Sequence, residues 1–301
     1  MRHRYQYYQI DAFTTEKFRG NPAGVIINAT GLQAEQMQQI AREVNNSETA
    51  FIFPPAGKEE ALEVRFFTPT REVPICGHAT IAAHYAWALQ QKCKSSYQIC
   101  QKTGAGLLPV DVIAENGDYK IVMTQGSIEF GPVLGEGDRR DLLAALGLQE
   151  EDCLQDYPVQ IVSTGHSKVL LGIAERARLD ALVPSLERLT ALSRRIGCNG
   201  FYVFTISPEA EILVHGRMFA PAIGIAEDPV TGNANGPLGA YLVEHKKIFS
   251  QEQAISFRAV QGEAIGRAGE LLVKVEVQNG HPSKVQIEGR AVVAFTADLS
   301  L

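Results

Sequence analysis

The stretch from Val73 to Trp87, VPICGHATIAAHYAW, sets a thiol, a glycine and an imidazole at the start of a helix that is apolar almost all round. A thiol beside a helix N-terminus ionises more readily than a free one, so Cys76 could be a base. A free cysteine is more commonly a small buried hydrophobe. Glu48, in NNSETAF, is followed by Thr49, Ala50, Phe51 and Ile52. A partly buried acid there suits a group that both gives and takes a proton. A solvated glutamate entering a strand would read the same. Asp228, in EDPVTGN, could orient His78 or a substrate amine, although Asp-Pro is also an ordinary turn. Two glycine-led helix starts complete the set, Gly77-His78-Ala79 and Gly232-Asn233-Ala234. Their free backbone N–H groups would bind an anion, a carboxylate above all, while glycine there also permits a tight turn.

These groups fall on an internal repeat. QIDAFTTEKFRGNPAGVII from Gln9 is echoed by QIVSTGHSKVLLGI from Gln160, each reading as strand, turn, strand. IAREVNNSETAFIF from Ile40 is echoed by LSRRIGCNGFYVFT from Leu192, an amphipathic helix running into a strand. Its apolar faces are Met37, Ile40, Ala41 and Val44 in one copy, and Leu186, Leu189, Leu192 and Ile196 in the other. The third pair begins at Phe66 and Met218. Ile10 and Ile161 lie 151 apart, Ile40 and Leu192 152, Gly77 and Gly232 155. Three matches in one order at a nearly constant offset indicate a duplicated chain. Glu48 then corresponds to Gly200, and Cys76 to Thr231. A threonine hydroxyl is too weak an acid to replace a thiol, which argues against a two-thiol racemase.

The helix from His78 carries apolar residues on every side, so it is surrounded by protein. Its counterpart, from Asn235, is rich in small residues, with Pro237 tolerable only in a first turn. Short strands account for Val64–Phe67, Leu107–Ile113, Lys120–Thr124, Ala254–Arg258, Leu271–Val277, Lys284–Ile287 and Ala291–Phe295. The expected fold class is α+β. It has two pseudo-symmetric domains, each a strongly curved, barrel-like sheet around a central helix. We place them at 1–130, joined by the C-terminal strand 290–301, and at 131–289, with the ligand in the cleft between them.

Composition excludes several classes. The chain has 301 residues, 45% hydrophobic and 21% charged, with a net charge of −6 and scattered Lys and Arg, unlike a nucleic-acid binder. The N-terminus reads without the apolar core of a signal peptide, and no run reaches a membrane span. Five cysteines form an odd set without a CxxC pair, consistent with a reduced, cytoplasmic compartment. His78 and His84 are six apart, and no HExxH occurs, so spacing predicts no metal. GNANGPLG is not GxGxxG, and no GxxxxGK[ST] occurs.

Four stretches together carry a resemblance: DAFTTEKFRGNPAGV, SETAF, FFTPTREVPICGHAT and EDPVTGNANGP. They span Asp11 to Pro237, and in them the chain resembles the phenazine biosynthesis-like (PhzF-like) isomerases of diaminopimelate-epimerase-type fold. The resemblance implies a cofactor-independent enzyme, commonly a homodimer, acting on a small-molecule carboxylate. It assigns proton transfer between carbons to Glu48, and contact with the substrate to His78 and Asp228. Gly77, Cys76, Ala79, Gly232, Asn233, Ala234 and Asn21 are then the substrate-binding candidates. Two positions depart from the phenazine isomerase: Asn233 replaces a serine, and Cys76 a small residue. Cys76-Gly77-His78 also resembles the first half-site of proline-racemase-like enzymes, but Thr231 stands where their second cysteine belongs.

The leading expectation is an isomerase or epimerase of a cyclic or amino-substituted carboxylate with Glu48 as acid and base. The alternatives are an epimerase in which Cys76 opposes Glu48, and a catalytically silent carboxylate-binding protein on the same fold.

Overall fold

The computed structural model describes residues 4–55, 61–207, 211–248 and 253–301, so Met1, Arg2 and His3 of the N-terminal stretch lie outside it. The chain divides into two compact units, Met1–Thr124 with Glu288–Leu301, and Gln125–Ile287. No helix of the described residues is long and apolar enough to cross a membrane.

The first unit runs β1 (Arg4–Ala12), β2 (Asn21–Ile26), α1 (Ala34–Val44), β3 (Thr49–Phe53), β4 (Leu62–Phe67), β5 (Glu72–Val73), α2 (Gly77–Gln91), β6 (Tyr97–Thr103), β7 (Gly106–Glu115) and β8 (Asp118–Thr124). β1 lies antiparallel between β2 and the C-terminal strand Ala291–Ser300. β2 is parallel to β3, and β3 antiparallel to β4. β4 pairs antiparallel with β5 and parallel with β6, after which β6, β7 and β8 form a meander. Parallel neighbours need a crossover, and α1 and α2 supply the two.

The two helices do different work. α1 is amphipathic and buries Met37, Ile40 and Ala41 in a cluster with Tyr5, Tyr7, Ile26, Phe51 and Phe67. α2 is buried along most of its length, from His78 to Ala86 and at Ala88, among β1, β2, β3, β7 and β8. Its all-round apolar composition is that of a helix inside protein.

The second unit runs β9 (Glu129–Val133), α3 (Glu136–Leu146), β10 (Gln160–Ser163), β11 (Lys168–Gly172), α4 (Arg176–Asp180), α5 (Leu186–Ile196), β12 (Phe201–Ile206), β13 (Ile212–Ala220), β14 (Ile225–Asp228), α6 (Gly232–Glu244), β15 (Ala254–Gln261), β16 (Gly269–Gln278) and β17 (His281–Gly289); the C-terminal strand is β18. β10 lies antiparallel between β9 and β11, β11 is parallel to β12, and β12 is antiparallel to β13. β13 pairs antiparallel with β14 and parallel with β15, which then pairs with β16. The order of antiparallel and parallel steps is that of the first unit, with α5 in the place of α1 and α6 in the place of α2. The repeat in sequence is therefore a repeat in topology. The fold class is α+β, and among the described residues the strand ladder does not close into a barrel.

Three local readings differ. α6 opens at Gly232 rather than Asn235, because the Thr231 carbonyl already accepts the Ala234 and Asn235 amides at 3.1 Å. Pro237 consequently sits inside the helix, where its missing N–H leaves the Asn233 carbonyl without its helical partner. The helix is held closely against the sheet: a Cβ on Gly239 would come within 2.7 Å of Val273 and 2.9 Å of Val275, so glycine lets α6 press onto β16. Leu186, on the apolar face of α5, is 38% exposed at the first turn, while Leu189 and Leu192 are buried.

Candidate active site

In the first unit the site is built on the turn between α1 and β3. α1 ends at Asn45 in the left-handed conformation (φ 52°), and Asn46, Ser47 and Glu48 lead into the strand. Asn46 is buried and held to β1. Its Nδ2 donates to the Tyr7 hydroxyl at 2.8 Å and Gln9 Oε1 at 3.0 Å, and its Oδ1 accepts from Gln9 Nε2 at 2.9 Å. The Tyr7 hydroxyl donates in turn to Gln9 Oε1, and burial pushes its pKa up to about 12. The Glu48 backbone is fixed by the Gly24 N–H, which donates to its carbonyl at 3.3 Å. At position 24 a Cβ would lie 2.8 Å from the Tyr7 ring and 2.9 Å from Thr49 Oγ1, so a larger residue would force those side chains to shift.

The Glu48 side chain is only 13% exposed, and its Oε2 makes no hydrogen bond. That oxygen lies 3.4 Å from Nε2 of His78, near enough for charge contact. His78 is buried and bracketed: Ser47 Oγ stands 3.2 Å from Nε2, and Cys76 Sγ 3.4 Å from Nδ1. Cys76 caps α2, its carbonyl accepting the Thr80 amide at 3.0 Å and the Thr80 hydroxyl at 2.7 Å. Beneath it Gln101 Nε2 donates to Thr80 Oγ1 at 3.4 Å, and its Oε1 faces His84 Nε2 at 2.9 Å. His84 is fully buried, with no partner for Nδ1, and burial lowers its pKa to about 4 against a smaller opposing effect of Gln101.

Glu48, Cys76 and His78 thus converge, with one donor atom from each within 4.8 Å of the others. Sulfur, nitrogen and oxygen donors so placed could also hold a zinc-type ion. Histidine spacing could not show this, because only one of the three donors is a histidine and Glu48 comes from elsewhere in the chain. Gly77 and Ala79 flank His78 in the first turn of α2, and Asn21, fully buried, opens β2 opposite Ala12.

The remaining candidates belong to the second unit. Asp228 ends β14, is 6% exposed, and its Oδ2 accepts the Thr231 hydroxyl. Thr231 caps α6, ahead of Gly232, Asn233 and Ala234. Gln261 ties the turn together: its Nε2 donates to the Asp228 carbonyl at 2.7 Å and Thr231 Oγ1 at 3.0 Å, and its Oε1 accepts the Thr231 amide at 3.1 Å. Asn235 donates to Gln261 and to the Thr231 carbonyl, and accepts the buried Tyr202 hydroxyl at 2.8 Å. Cys76 and Thr231 are therefore equivalent caps of equivalent helices. Glu48 and Gly200 correspond as closely. α5 ends on left-handed Gly197, three residues later the Gly200 carbonyl accepts the Val169 amide at 2.9 Å, and β12 begins. One copy carries an acid at this place and the other carries nothing.

Gln9, Tyr7, Asn46, Gln101, Gln261 and Tyr202 were not found from sequence. Gln9 and Gln160 do open the repeated QI pair, but no local signal marks the others, since their partners lie on distant strands.

The family described as phenazine biosynthesis-like protein has a model that matches residues 10–297. The chain belongs to that family. An uncharacterized isomerase of Clostridium acetobutylicum is 58% identical over 299 residues, 99% of each chain. The trans-2,3-dihydro-3-hydroxyanthranilate isomerase of Pseudomonas chlororaphis is 31% identical over 96% of each chain. A solved phenazine biosynthesis protein of the PhzF family from Bacillus anthracis superposes with a TM-score of 0.87, at 28% identity and 99% coverage of both chains. The PhzF-like relatives are named isomerases, and the protein is an isomerase of this family, on the α+β fold of the diaminopimelate-epimerase type.

Proposed function

We propose that the protein is a cofactor-independent isomerase that moves a proton between carbons of a small carboxylate, cyclic or amino-substituted, with Glu48 as general acid and base. The observation that carries this reading is the state of Glu48. Its carboxylate is mostly buried, one oxygen makes no hydrogen bond, and the equivalent place in the second unit is glycine. A structural glutamate in that setting would be expected to have donors on both oxygens. One with an oxygen that accepts no hydrogen bond is available to take a proton from carbon and return it at another.

In this reading Glu48 removes the proton as carboxylate and delivers it as carboxylic acid. His78, 3.4 Å away, polarises the substrate or holds it against Glu48. Asp228, steadied by Thr231, holds a polar group such as an amine, and the amides at Gly77 and Gly232 take the carboxylate. The chemistry proposed for Glu48 does not use the hydroxyl that Asn233 replaces. The proposal includes a cytoplasmic location and a homodimer, the second of which light scattering on the purified protein would read.

The test is solvent exchange. Wild type in D₂O should wash deuterium into its substrate from a panel of small amino, hydroxy and cyclic carboxylates, and Glu48→Gln should lose ~10²–10⁴-fold in rate. Unchanged turnover in that variant would refute the assignment. One observation favours a second reading, the 3.4 Å approach of Cys76 Sγ to His78 Nδ1, which would make the thiol the opposing base of an epimerase. That reading requires loss of exchange in Cys76→Ala and on thiol alkylation.

A further inference from the structure

Among the described residues, two lysine or arginine side chains are buried, Lys168 and Arg217, both in the second unit. Arg217 is fully answered. It makes a two-pronged pair with Glu227 at 2.9 and 2.7 Å and donates to the carbonyls of Leu179, Asp180 and Leu182. Lys168 is not. It is 4% exposed, its Nζ donates to one acceptor, the Ser167 carbonyl at 3.2 Å, and it has no ion pair among the described residues. An ammonium carries three donors, and a buried charge left unpaired is expensive. Burial accordingly lowers the pKa of Lys168 to about 8, with Cys198 and then Asp228 pulling it the other way.

Its place in the repeat gives this charge a meaning. Lys168 opens β11 beside Gly200, and a Cβ built on Gly200 would touch its Cδ at 3.4 Å. Gly200 is the counterpart of Glu48. A Cβ there would press first on the Phe219 carbonyl at 3.0 Å and the Ala220 methyl at 3.2 Å, so the lysine stem lies against a backbone site that is tight on all sides; near the place where the first unit carries a carboxylate, the second buries an amine.

We propose that Lys168 is a ligand-binding residue of the second unit whose ammonium shares the ligand carboxylate with the amides at Gly232. The missing acceptors of Nζ are then the oxygens of the ligand, and the retained charge selects an anionic substrate over its neutral amide or ester. This rests on the carboxylate part of the reading above and is independent of proton transfer by Glu48.

The test uses the full-length protein labelled with ¹³Cε-lysine, the Lys168 resonance being identified by its loss in Lys168→Arg. Acetate is the probe, with chloride at equal ionic strength as the control. Acetate should raise the Lys168 pKa by about one unit or more, back toward that of an exposed lysine, and chloride should not. Acetate should also raise the thermal midpoint of wild type and of Glu48→Gln, but not of Lys168→Met, which keeps the stem and removes the charge. A Lys168 titration that acetate leaves unmoved would overturn the proposal, as would equal acetate stabilisation of Lys168→Met. The resonance experiment decides the matter even if Lys168→Met fails to fold. Loss of exchange in Glu48→Gln with acetate binding intact would separate the two proposals.

Discussion

His84 should make the first unit unstable in mild acid, by an amount that follows from its burial. In the folded protein its pKa is about 4, against an ordinary 6.5, chiefly because burial disfavours the charged ring. The unfolded chain therefore binds more protons between these values, and stability is lost as the pH falls through that window. A shift of 2.5 units (6.5 − 4) corresponds to about 3 kcal/mol in full. By pH 5 roughly 2 kcal/mol of this has gone. The single tryptophan, Trp87, lies in α2 with His84, so its fluorescence during urea unfolding reports this unit. We expect wild type to lose about 2 kcal/mol more than His84→Gln between pH 7.5 and pH 5. His245, whose pKa burial also lowers, is present in both proteins and cancels. Equal losses in the two proteins would refute the reasoning.

Other perturbations test the parts of the site separately. Thr231→Val removes the donor to Asp228 and an acceptor for Gln261, and should cost ~1–3 kcal/mol by urea unfolding; a loss within about 0.5 kcal/mol would mean the turn is held otherwise. Gly24→Ala places a methyl 2.8 Å from the Tyr7 ring beside the Glu48 backbone, and should cost ~1–3 kcal/mol while slowing solvent exchange. Wild-type stability and rate there would show that β1 yields easily. Cys76→Ala should keep exchange within about tenfold of wild type, since the thiol is a neighbour of the acting group; a loss as deep as that of Glu48→Gln would transfer the role to sulfur.

What could be read from sequence was whatever the chain expresses locally. The matched segments around Gln9, Ile40 and Gly77 became matched strands, crossover helices and helix caps, because turn glycines and apolar periodicity act over a few residues. The correspondence of Glu48 with Gly200, and of Cys76 with Thr231, followed from the same spacing. Long-range features were silent. Nothing near Gln261 shows that it will join Asp228, Thr231 and Asn235, and Asn46 gives no sign of reaching Tyr7 and Gln9. Lys168 reads as an ordinary strand-opening lysine, since its burial depends on chain that packs around it from beyond its own strand. Pro237 misled because helix-start rules weigh the local N–H loss and cannot see that α6 is buried against β16 along this stretch. The convergence of Glu48 with Cys76 and His78 was equally beyond a scan of histidine spacing.

The most direct measurement of the central claim is proton NMR of candidate carboxylates incubated in D₂O with wild type and with Glu48→Gln. Deuterium entering a carbon position with wild type, and falling by ~10²–10⁴-fold in the variant, is the predicted result. Wash-in at the wild-type rate in Glu48→Gln would contradict it.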